Sequence, residues 1–224
     1  MDRTTIVNAA LELLNEVGLE GVTVRRLAAD LGVQNPALYW HFPNKQALLD
    51  EMAQVLQARQ DFGPPHPGES WQLWLTRRGR ERRRILLSHR DGARLVAGTR
   101  PGPDLLLRFE AELAALVANG FTAAQALRAI GTLSRYVNGF VLDEQALPRR
   151  RAEPDEPADK QPVSDQPADV FQATPTLAAA IRDSGDSDET FEDGLRILID
   201  GIAAGLKRRQ DGTGQDPASA APGP

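Results

Sequence analysis

The sequence predicts an all-α fold, and three observations support that prediction. Apolar residues recur at intervals of three and four along almost every stretch between turns, as they do on the buried face of a helix. Glycine, asparagine and proline stand where these patterns begin or end. The strict alternation of a β-strand and any internal repeat are both missing from the sequence.

The sequence predicts two helices near the N-terminus, and a glycine turn follows the second of them. Apolar spacing predicts a helix over residues 6–17, which Gly18 is expected to end. A second helix is expected from Val24 to Leu31, followed by Gly32. The side chains expected to fill the crossing with the third helix are those of Leu27, Ala28, Leu31, Val33 and Leu38.

Two asparagines are expected to begin the next two helices. Asn35 is predicted to cap a third helix over residues 35–41, with Pro36 at its first position, where a missing N–H costs nothing. Asn44 is predicted to cap a fourth helix that ends near Arg59.

A cluster of proline and glycine at residues 63–68 predicts a domain boundary. It separates an expected N-terminal domain, residues 1–62, from a larger helical domain, residues 69–209. Residues 148–169 are rich in proline and poor in large apolar residues, which predicts a flexible loop, and residues 210–224 are predicted to be a disordered tail. The helices of the larger domain are expected at about 69–89, 92–97, 103–119, 122–146, 175–183 and 189–209.

Composition excludes several classes of protein. The chain has no cysteine, so disulfides, thiolate nucleophiles and cysteine-bound metals are excluded. No apolar run has the length of a membrane span, and the N-terminus does not resemble a signal peptide, so we expect a cytoplasmic protein with no membrane partner. The net charge of −5 argues against general coating of nucleic acid, so any DNA contact must come from a few well-placed groups.

The second and third helices have the layout of a helix-turn-helix. The third helix is so short that its first residues are the ones able to approach base edges in a major groove. Tyr39, His41 and Lys45 are expected to bond phosphate oxygens, and Arg25 is a candidate for a guanine contact or a phosphate clamp. The predicted DNA-contacting set is Arg25, Asn35, Pro36, Ala37, Tyr39, Trp40, His41 and Lys45.

Each of these residues also has a purely structural interpretation. Taken singly, Tyr39 and Trp40 are as consistent with core aromatics as with DNA contacts. His41 alone is more often a structural histidine, and Lys45 alone is usually a solvated charge at a helix start. The order of helix, glycine turn, proline-started helix and Tyr-x-His-Phe favours the DNA-binding interpretation, because packing alone does not require it.

Residues 22–50, VTVRRLAADLGVQNPALYWHFPNKQALLD, resemble the DNA-binding domain of the tetracycline-repressor family, whose hallmark Tyr-x-His-Phe-x-x-Lys occupies residues 39–45. The segments AALELLNEVGLEG, GESWQ, RDGARL, GTRP and NGF extend the resemblance over most of residues 1–209 outside the proline-rich stretch. It implies an N-terminal three-helix helix-turn-helix DNA-binding domain plus a C-terminal helical ligand-binding and dimerisation domain.

The resemblance implies a homodimeric repressor that binds double-stranded palindromic operator DNA and is released by a small-molecule inducer. The last two long helices of each chain are expected to pair into a four-helix bundle, although part of their apolar stripes must be core within one chain. The residues expected to supply these stripes are Leu127, Ile130, Leu133, Val137, Val141, Leu195, Leu198, Ile202 and Leu206.

In the tetracycline repressors the drug binds as a magnesium chelate, and the matching positions of this sequence differ. Gln60, Arg78 and Arg82 stand at positions of a histidine, an asparagine and a phenylalanine that contact the drug. Val96 stands at the position of the magnesium-binding histidine, and valine cannot bind a metal. The predicted ligand pocket comprises Gln60, Arg78, Arg82, Val96, Thr99, Arg100, Glu112 and Asp143, where only Thr99 and Arg100 keep the family's residues.

These differences predict that magnesium-tetracycline is not the inducer, that the inducer is a different small molecule, and that the protein needs no metal or cofactor. Arg78 and Arg82 lie one helical turn apart, as part of an arginine-rich run that is normally a solvated face. Two interpretations stay open for them: binding an anionic group, or pairing with Glu112 and Asp143 to satisfy buried charge.

An enzyme is the competing class of function. The sequence has three histidines, no Gly-rich phosphate loop and no histidine pair at metal-binding spacing, so we predict that the protein is not an enzyme. A further alternative is a DNA-binding regulator that has no small-molecule inducer, or one that activates transcription. Ligand-dependent loss of operator binding distinguishes these regulators.

Overall fold

The structure is a computed structural model that describes residues 2–61, 63–152, 173–183 and 185–212. Every regular element within these ranges is an α-helix, which confirms the predicted all-α class. The helices in these ranges are α1 (Arg3–Gly21), α2 (Val24–Asp30), α3 (Asn35–Tyr39), α4 (Lys45–Ala58), α5 (Trp71–Leu87), α6 (Gly92–Ala97), α7 (Pro103–Ala118), α8 (Ala123–Ala152), α9 (Pro175–Asp183) and α10 (Ser187–Gly212).

Polar side chains cap the first turns of several helices. The backbone N–H of Ala47 donates to Asn44 Oδ1 at 2.8 Å, which confirms the predicted cap of α4. Asp2, Thr23 and Ser70 accept from the third residue after them at the starts of α1, α2 and α5. Each cap satisfies a backbone donor that has no partner inside its helix.

Gly18 interrupts the first helix, as predicted, and a further helical turn up to Gly21 follows the kink. Gly18 adopts a φ of 69°, a left-handed conformation that breaks the regular hydrogen bonding of the helix. The N–H of Leu19 donates instead to Asp91 Oδ2 at 2.9 Å. A contact from a distant part of the chain therefore replaces a local helical bond.

The structure corrects the predicted start of the third helix. Gln34, not Asn35, is the residue before the first turn of α3, and it makes no capping hydrogen bond with its side chain. Pro36 lies in the first turn, where its missing N–H leaves no helical bond unmade. The helix ends at Tyr39 rather than at His41, so that its recognition surface is a little over one turn long.

Two long helices extend into segments predicted to be irregular. α8 runs to Ala152, so the predicted flexible loop at 148–169 is helical over residues 148–152. α10 runs to Gly212, so the first three residues of the predicted disordered tail at 210–224 are helical. The extension of α8 contains three arginines, Arg149 to Arg151, and arginine has a high helix propensity, whereas the extension of α10 is Gln210, Asp211 and Gly212. The rest of both predicted segments, 153–169 and 213–224, lies outside the described residues.

Helix packing produces two cores that are joined through α4. In the N-terminal part, α1 packs on α2 and α4, and α2 packs on α3. In the larger part, α5 is central and contacts α6, α8 and α10, while α7 packs against α8. Because α4 also contacts α5 and α6, it links the N-terminal helices to the larger core.

Gly79 allows three of these helices to approach closely. A Cβ atom at Gly79 would lie 3.1 Å from a methyl group of Leu195 on α10 and 3.3 Å from one of Leu133 on α8. Both neighbours are buried leucines with little space to move. The missing side chain therefore lets α5 pack closely against α8 and α10.

No single helix among the described residues is long and apolar enough to cross a membrane. α7 and the part of α8 up to Ala146 pass the same test of length and composition only as a pair, and they are bent by 118° where they meet.

Candidate nucleic-acid interface and regulatory core

The helix-turn-helix is closed by backbone hydrogen bonds around Gly32. The N–H of Gly32 donates to the carbonyl of Ala29 at 3.1 Å, and that of Val33 donates to the carbonyl of Ala28 at 2.9 Å. Gly32 has a φ of 65°, which favours glycine at this position. Leu27, Ala28 and Leu38 are buried at the crossing of α2 and α3, as predicted.

The surface of α3 carries the predicted base-facing residues. Asn35, Pro36 and Ala37 are all exposed on its first turn. Tyr39 is 53% exposed and Trp40 is 90% exposed, so the alternative interpretation of these two aromatics as core residues is wrong. Tyr and Trp combine a large apolar ring with a hydrogen-bonding group, so exposed side chains of this kind are typical of a surface that contacts a partner.

His41 and Lys45 lie at the edge of this surface, and both are partly buried. Lys45 Nζ donates to the carbonyl of Leu19 at a long 3.4 Å, which leaves most of its donor capacity available. The carbonyl of His41 accepts from Arg3 Nη1 at 3.1 Å. Arg25 is exposed on the first turn of α2, where a DNA backbone or base edge could reach it.

Arg3 is a residue of this region that sequence reasoning missed. Its guanidinium lies 4.6 Å from the centre of the Phe42 ring and bonds Glu51 at 2.9 Å. Through these contacts Arg3 fixes the end of α3 to α1 and α4. A signal was present, since Arg3 is one of few basic residues in the first part of the chain, but its partners are distant in sequence.

Two arginines of α5 enter the core of the larger domain. Arg78 is 3% exposed and makes a two-bond contact with the fully buried Glu112, at 2.6 Å from Nε and 2.8 Å from Nη2. Its Nη1 also donates to Ser134 Oγ at 3.4 Å. This planar two-bond geometry is the most favourable way to bury an arginine with a carboxylate. Of the two interpretations left open for Arg78, the structure therefore shows the pairing with Glu112.

Arg82 has a different environment. It is 7% exposed, and its Nε donates to Asn138 Oδ1 at 3.1 Å. Burial, together with the charge of Arg78, lowers the pKa of Arg82 to about 10, and Glu112 opposes that shift only in part. The group stays charged at neutral pH. None of the ion pairs formed by the described residues includes Arg82.

The predicted partner of Arg82, Asp143, is not in this cluster. Asp143 is exposed, and it lines a cleft of about 320 Å³ between α8 and the start of α10. Asn138 and Ser134, which sequence reasoning missed, hold the arginines instead. Their spacing of four on α8 matches that of Arg78 and Arg82 on α5, and this matching periodicity was a signal.

Gln60 lies beside the same face of α5. It is 3% exposed, and its Nε2 is the buried side-chain nitrogen without a hydrogen-bond partner in the described part of the chain. Its neighbours hold it there: Arg59 Nη1 lies 3.5 Å from His89 Nε2, and the N–H of Asp61 donates to Glu81 at 3.2 Å.

The remaining predicted pocket residues follow the end of α6. Val96 is buried, and its carbonyl accepts from Thr99 Oγ1 at 3.1 Å. Arg100 is exposed. Gln46 on α4 donates to the carbonyl of Gly98 at 3.3 Å, so the turn after α6 is bonded to the N-terminal helices. The described residues contain no group of three or more histidine or carboxylate side chains able to hold a metal ion.

A second connection joins the loop before α6 to the end of α1, and sequence reasoning did not predict it. Arg90 donates from its backbone N–H to Asn15 Oδ1 at 2.9 Å, and from Nη1 to the carbonyl of Glu16 at 3.0 Å. Asp91 accepts from Leu19, as described above, and Arg94 pairs with Glu20 at 2.7 Å. We call Arg90, Asp91 and Arg94 the junction residues.

The two helices predicted to pair between chains pack mainly within one chain. Ile130, Leu133 and Val137 of α8 and Leu195 of α10 are buried against the rest of the molecule. The alternative of intramolecular core therefore holds for these positions. Exposed or half-buried apolar groups remain on the same helices: Leu127, Ile197, Leu198, Ile202 and Leu206. Two of them, Ile202 and Leu206, line a cavity of about 200 Å³ that α8 and α10 share.

This arrangement defines a class: a helix-turn-helix protein whose recognition helix is exposed and whose second, larger helical core is bonded to it. The family comparisons agree with that class. Residues 6–52 match the model of bacterial regulatory proteins of the tetR family, and residues 64–206 match that of the tetracyclin repressor-like C-terminal domain. The chain belongs to the tetracycline-repressor family.

Individual relatives cover nearly the whole chain. It is 42% identical over 208 residues to the tetracycline repressor protein class A from transposon 1721 of Escherichia coli, covering 92% of this chain and 90% of that one. It is similar to the structure of a class A repressor in complex with 5a,6-anhydrotetracycline and magnesium, with a TM-score of 0.70, 37% identity, and coverage of 91% and 99%. It is also similar to Streptomyces coelicolor ActR in complex with (S)-DNPA, with a TM-score of 0.74, 29% identity, and coverage of 92% and 98%.

Proposed function

We propose that the chain is a ligand-responsive transcriptional repressor that binds a palindromic operator as a homodimer and is released by a small-molecule inducer. The exposed first turn of α3, held on a closed helix-turn-helix, is the observation that carries this proposal. In it, residues 1–62 act as the DNA-binding domain and residues 69–209 as the regulatory domain. The relatives named above are regulators and not enzymes, and operator binding implies a cytoplasmic protein.

The DNA contacts divide into two groups by chemistry. Asn35 and Ala37 lie on the first turn of α3, where the recognition helix of this motif meets base edges, so they are proposed to contribute sequence preference. Tyr39, His41 and Lys45 carry donors at the edge of this surface and are proposed to bond phosphate oxygens. Trp40 is proposed to pack against the sugar-phosphate backbone beside them.

Dimerisation is proposed to use the outer faces of α8 and α10. Two identical heads recognise a palindrome only if a stable dimer fixes the distance between them at one helical turn of DNA or a multiple of it. The exposed side chains of Leu127 and Ile197 provide apolar surface for that contact, since they do not contribute to the core of their own chain.

The inducer is proposed to be different from magnesium-tetracycline, although a similar class A repressor forms a complex with 5a,6-anhydrotetracycline and magnesium. Val96 stands at the position of the family's magnesium-binding histidine, and its buried hydrocarbon side chain has no donor atom for a metal. Arg78 and Glu112 form an ion pair where a tetracycline repressor offers neutral side chains to the drug. The residues present therefore do not fit the metal chelate.

The test of DNA binding uses the full chain and a pool of random DNA duplexes. We expect it to select palindromic sequences and to bind them with two chains per duplex, measured by light scattering of the complex. Replacing the exposed Leu127 and Ile197 together with lysine is expected to give monomers with weak DNA binding, whereas Leu107→Lys, at a leucine of α7 about as exposed as Ile197, is the control. Failure to select any sequence, or binding as a monomer, contradicts the proposal.

The test of the inducer measures release of the selected duplex. Magnesium-tetracycline at micromolar concentration is expected to leave the complex intact, and release at that concentration shows that this part of the proposal is wrong. A regulator without an inducer, or an activator, is the alternative function. Transcription from a promoter that carries the selected sequence distinguishes an activator, because the purified chain then raises transcription instead of lowering it.

A further inference from the structure

The core of the regulatory domain contains more positive than negative charge. Arg78, Arg82 and Glu112 are each at least nine-tenths buried and lie within range of one another's charge. Two cations and one anion leave a net charge of +1 among these three buried side chains. Buried ionised groups are normally paired, because an isolated charge is costly to remove from water.

The excess charge belongs to Arg82 and not to Arg78. Both oxygens of Glu112 accept hydrogen bonds from Arg78, so this pair is complete. Arg82 has a single hydrogen bond with the described side chains, and its acceptor is the neutral amide oxygen of Asn138. A guanidinium has five N–H donors, so the one bond from Nε leaves the other N–H groups of Arg82 for another acceptor.

Gln60 supplies a second buried donor. Its amide nitrogen has no acceptor among the described residues, although its side chain is almost completely buried. The contacts from Arg59 to His89 and from Asp61 to Glu81, the residue before Arg82, hold the two neighbours of Gln60 against the second half of α5 and the turn after it. An acceptor that reached both side chains would satisfy both of them, and a negatively charged acceptor would also neutralise the cation.

The side chains next to these donors are apolar. On α5 the next turn after Arg82 brings the buried Ile85 and Leu86, and on α8 the buried Val137 and Val141 flank Asn138. A ligand that reaches Arg82 therefore contacts hydrocarbon along most of its surface. One anionic group on an apolar body fits such surroundings, because a second charge would have no partner.

Building on the proposed function, we propose that the inducer is a largely apolar molecule with one carboxylate or phenolate, which Arg82 binds through charge-assisted hydrogen bonds and Gln60 through a further one. Arg78 does not bind the ligand, since Glu112 already occupies it. Asn138 is a positioning residue that orients the guanidinium of Arg82.

The experiment uses two acids and their neutral counterparts of the same shape: benzoate with benzamide, and 1-naphthoate with 1-naphthamide. Their binding to the full chain is measured by calorimetry and by thermal unfolding at neutral pH. We expect the wild type to bind at least one acid on the order of tenfold more tightly than its amide, as a charge-assisted bond predicts. Arg82→Met is expected to remove this preference, and Gln60→Leu to reduce it several-fold.

The matched control is Arg84→Met, which removes an exposed arginine of the same helix and is expected to keep the preference. Equal binding of acids and amides by the wild type overturns the proposal, as does an unchanged preference in Arg82→Met. Failure of both acids to bind at millimolar concentration also overturns it.

A measurement without ligand tests the charge argument independently of whether these probes fit. If Arg82 is an uncompensated cation, ligand-free Arg82→Met should unfold at the same temperature as the wild type or at a higher one. A clearly lower temperature shows that Arg82 has a structural role and overturns the proposal. Binding of the selected operator is measured alongside: if it is intact while the acids fail, only the ligand assignment is wrong, and if no operator binds, the proposed function itself fails.

Discussion

The DNA-binding head and the regulatory core use their polar residues in opposite ways. The head presents Asn35, Tyr39 and Trp40 on its surface, where solvent satisfies them until a partner binds. The core instead contains Arg78, Arg82 and Glu112, which must be satisfied by each other or by a ligand. A residue's role in the head therefore follows from its exposure, whereas in the core it follows from its partners.

Because of this difference, substitutions in the two regions should change different properties. In the head, changing a functional residue should affect DNA binding and leave stability nearly unchanged, because exposed side chains contribute little to folding. In the core, the same kind of change should alter stability strongly and in a direction that depends on whether the remaining charge is paired. The predictions below use that contrast.

The largest effect is expected for Arg78→Met. Removing this arginine leaves Glu112 fully buried without its partner, and breaking such a pair costs about 3–5 kcal/mol of stability. Urea unfolding of the ligand-free protein measures the loss. The double variant Arg78→Met with Glu112→Leu should recover much of it, because neither member of the pair is then left without the other and only the charge of Arg82 remains. A loss smaller than about 1 kcal/mol in the single variant would show that solvent reaches Glu112.

The next effect concerns DNA binding by the head. Arg25→Ala should weaken binding of the selected operator by about 1–3 kcal/mol and relax sequence preference at one base pair, if Arg25 contacts guanine. If Arg25 contacts a phosphate instead, binding should weaken equally for all sequences. The slope of the logarithm of the binding constant against the logarithm of the salt concentration should then become smaller by about one unit. Lys45→Ala, at a proposed phosphate contact, should show the second behaviour. Unfolding midpoints equal to that of the wild type confirm that stability is unaffected.

The junction residues connect the two regions, and they should give intermediate effects. Asp91→Ala removes the acceptor of the Leu19 N–H at the kink of α1, and an unsatisfied partly buried donor costs about 1–3 kcal/mol. Faster hydrogen exchange at Leu19 would identify that bond as the cause. Glu20→Gln is the matched control, because its pair with Arg94 is exposed and should contribute less than about 1 kcal/mol. Equal losses in both variants would contradict this ranking.

The helices and the helix-turn-helix could be predicted from the sequence because their determinants are local. The cap of α4 by Asn44 and the turn at Gly32 depend on residues within a few positions of each other. The exact ends of α8 and α10, and the helical turn after Gly18, could not be predicted, since propensity and long-range contacts decide them. After Gly18, for example, the N–H of Leu19 donates to the distant Asp91.

The charged residues of the core show more clearly what the sequence alone cannot predict. The sequence placed Arg78, Arg82, Glu112 and Asp143 at pocket positions but could not assign the pairs. Both arginines share one helix face, and only the packing of α7 and α8 decides that Glu112 reaches the first, while Asp143 points to the surface. Asn138, the partner of Arg82, is neutral, so a search of the sequence for opposite charges does not find it. Pairing in a core is a property of the fold, and spacing along the chain is a weak guide to it.

The smallest effect is expected from His89, at the edge of the core. Burial, with a contribution from the nearby positive charge of Arg59, lowers the pKa of His89 below its ordinary value of 6.5. The unfolded chain therefore binds a proton more readily than the folded protein, so stability should fall as the pH drops below about 6.5 and should level off below the folded pKa. Urea unfolding of the wild type and of His89→Gln between about pH 5 and about pH 8 measures this, and the variant should lose that part of the pH dependence. His66→Gln, at an exposed histidine, is the control, and an identical profile for His89→Gln and the wild type would show that His89 does not carry the effect.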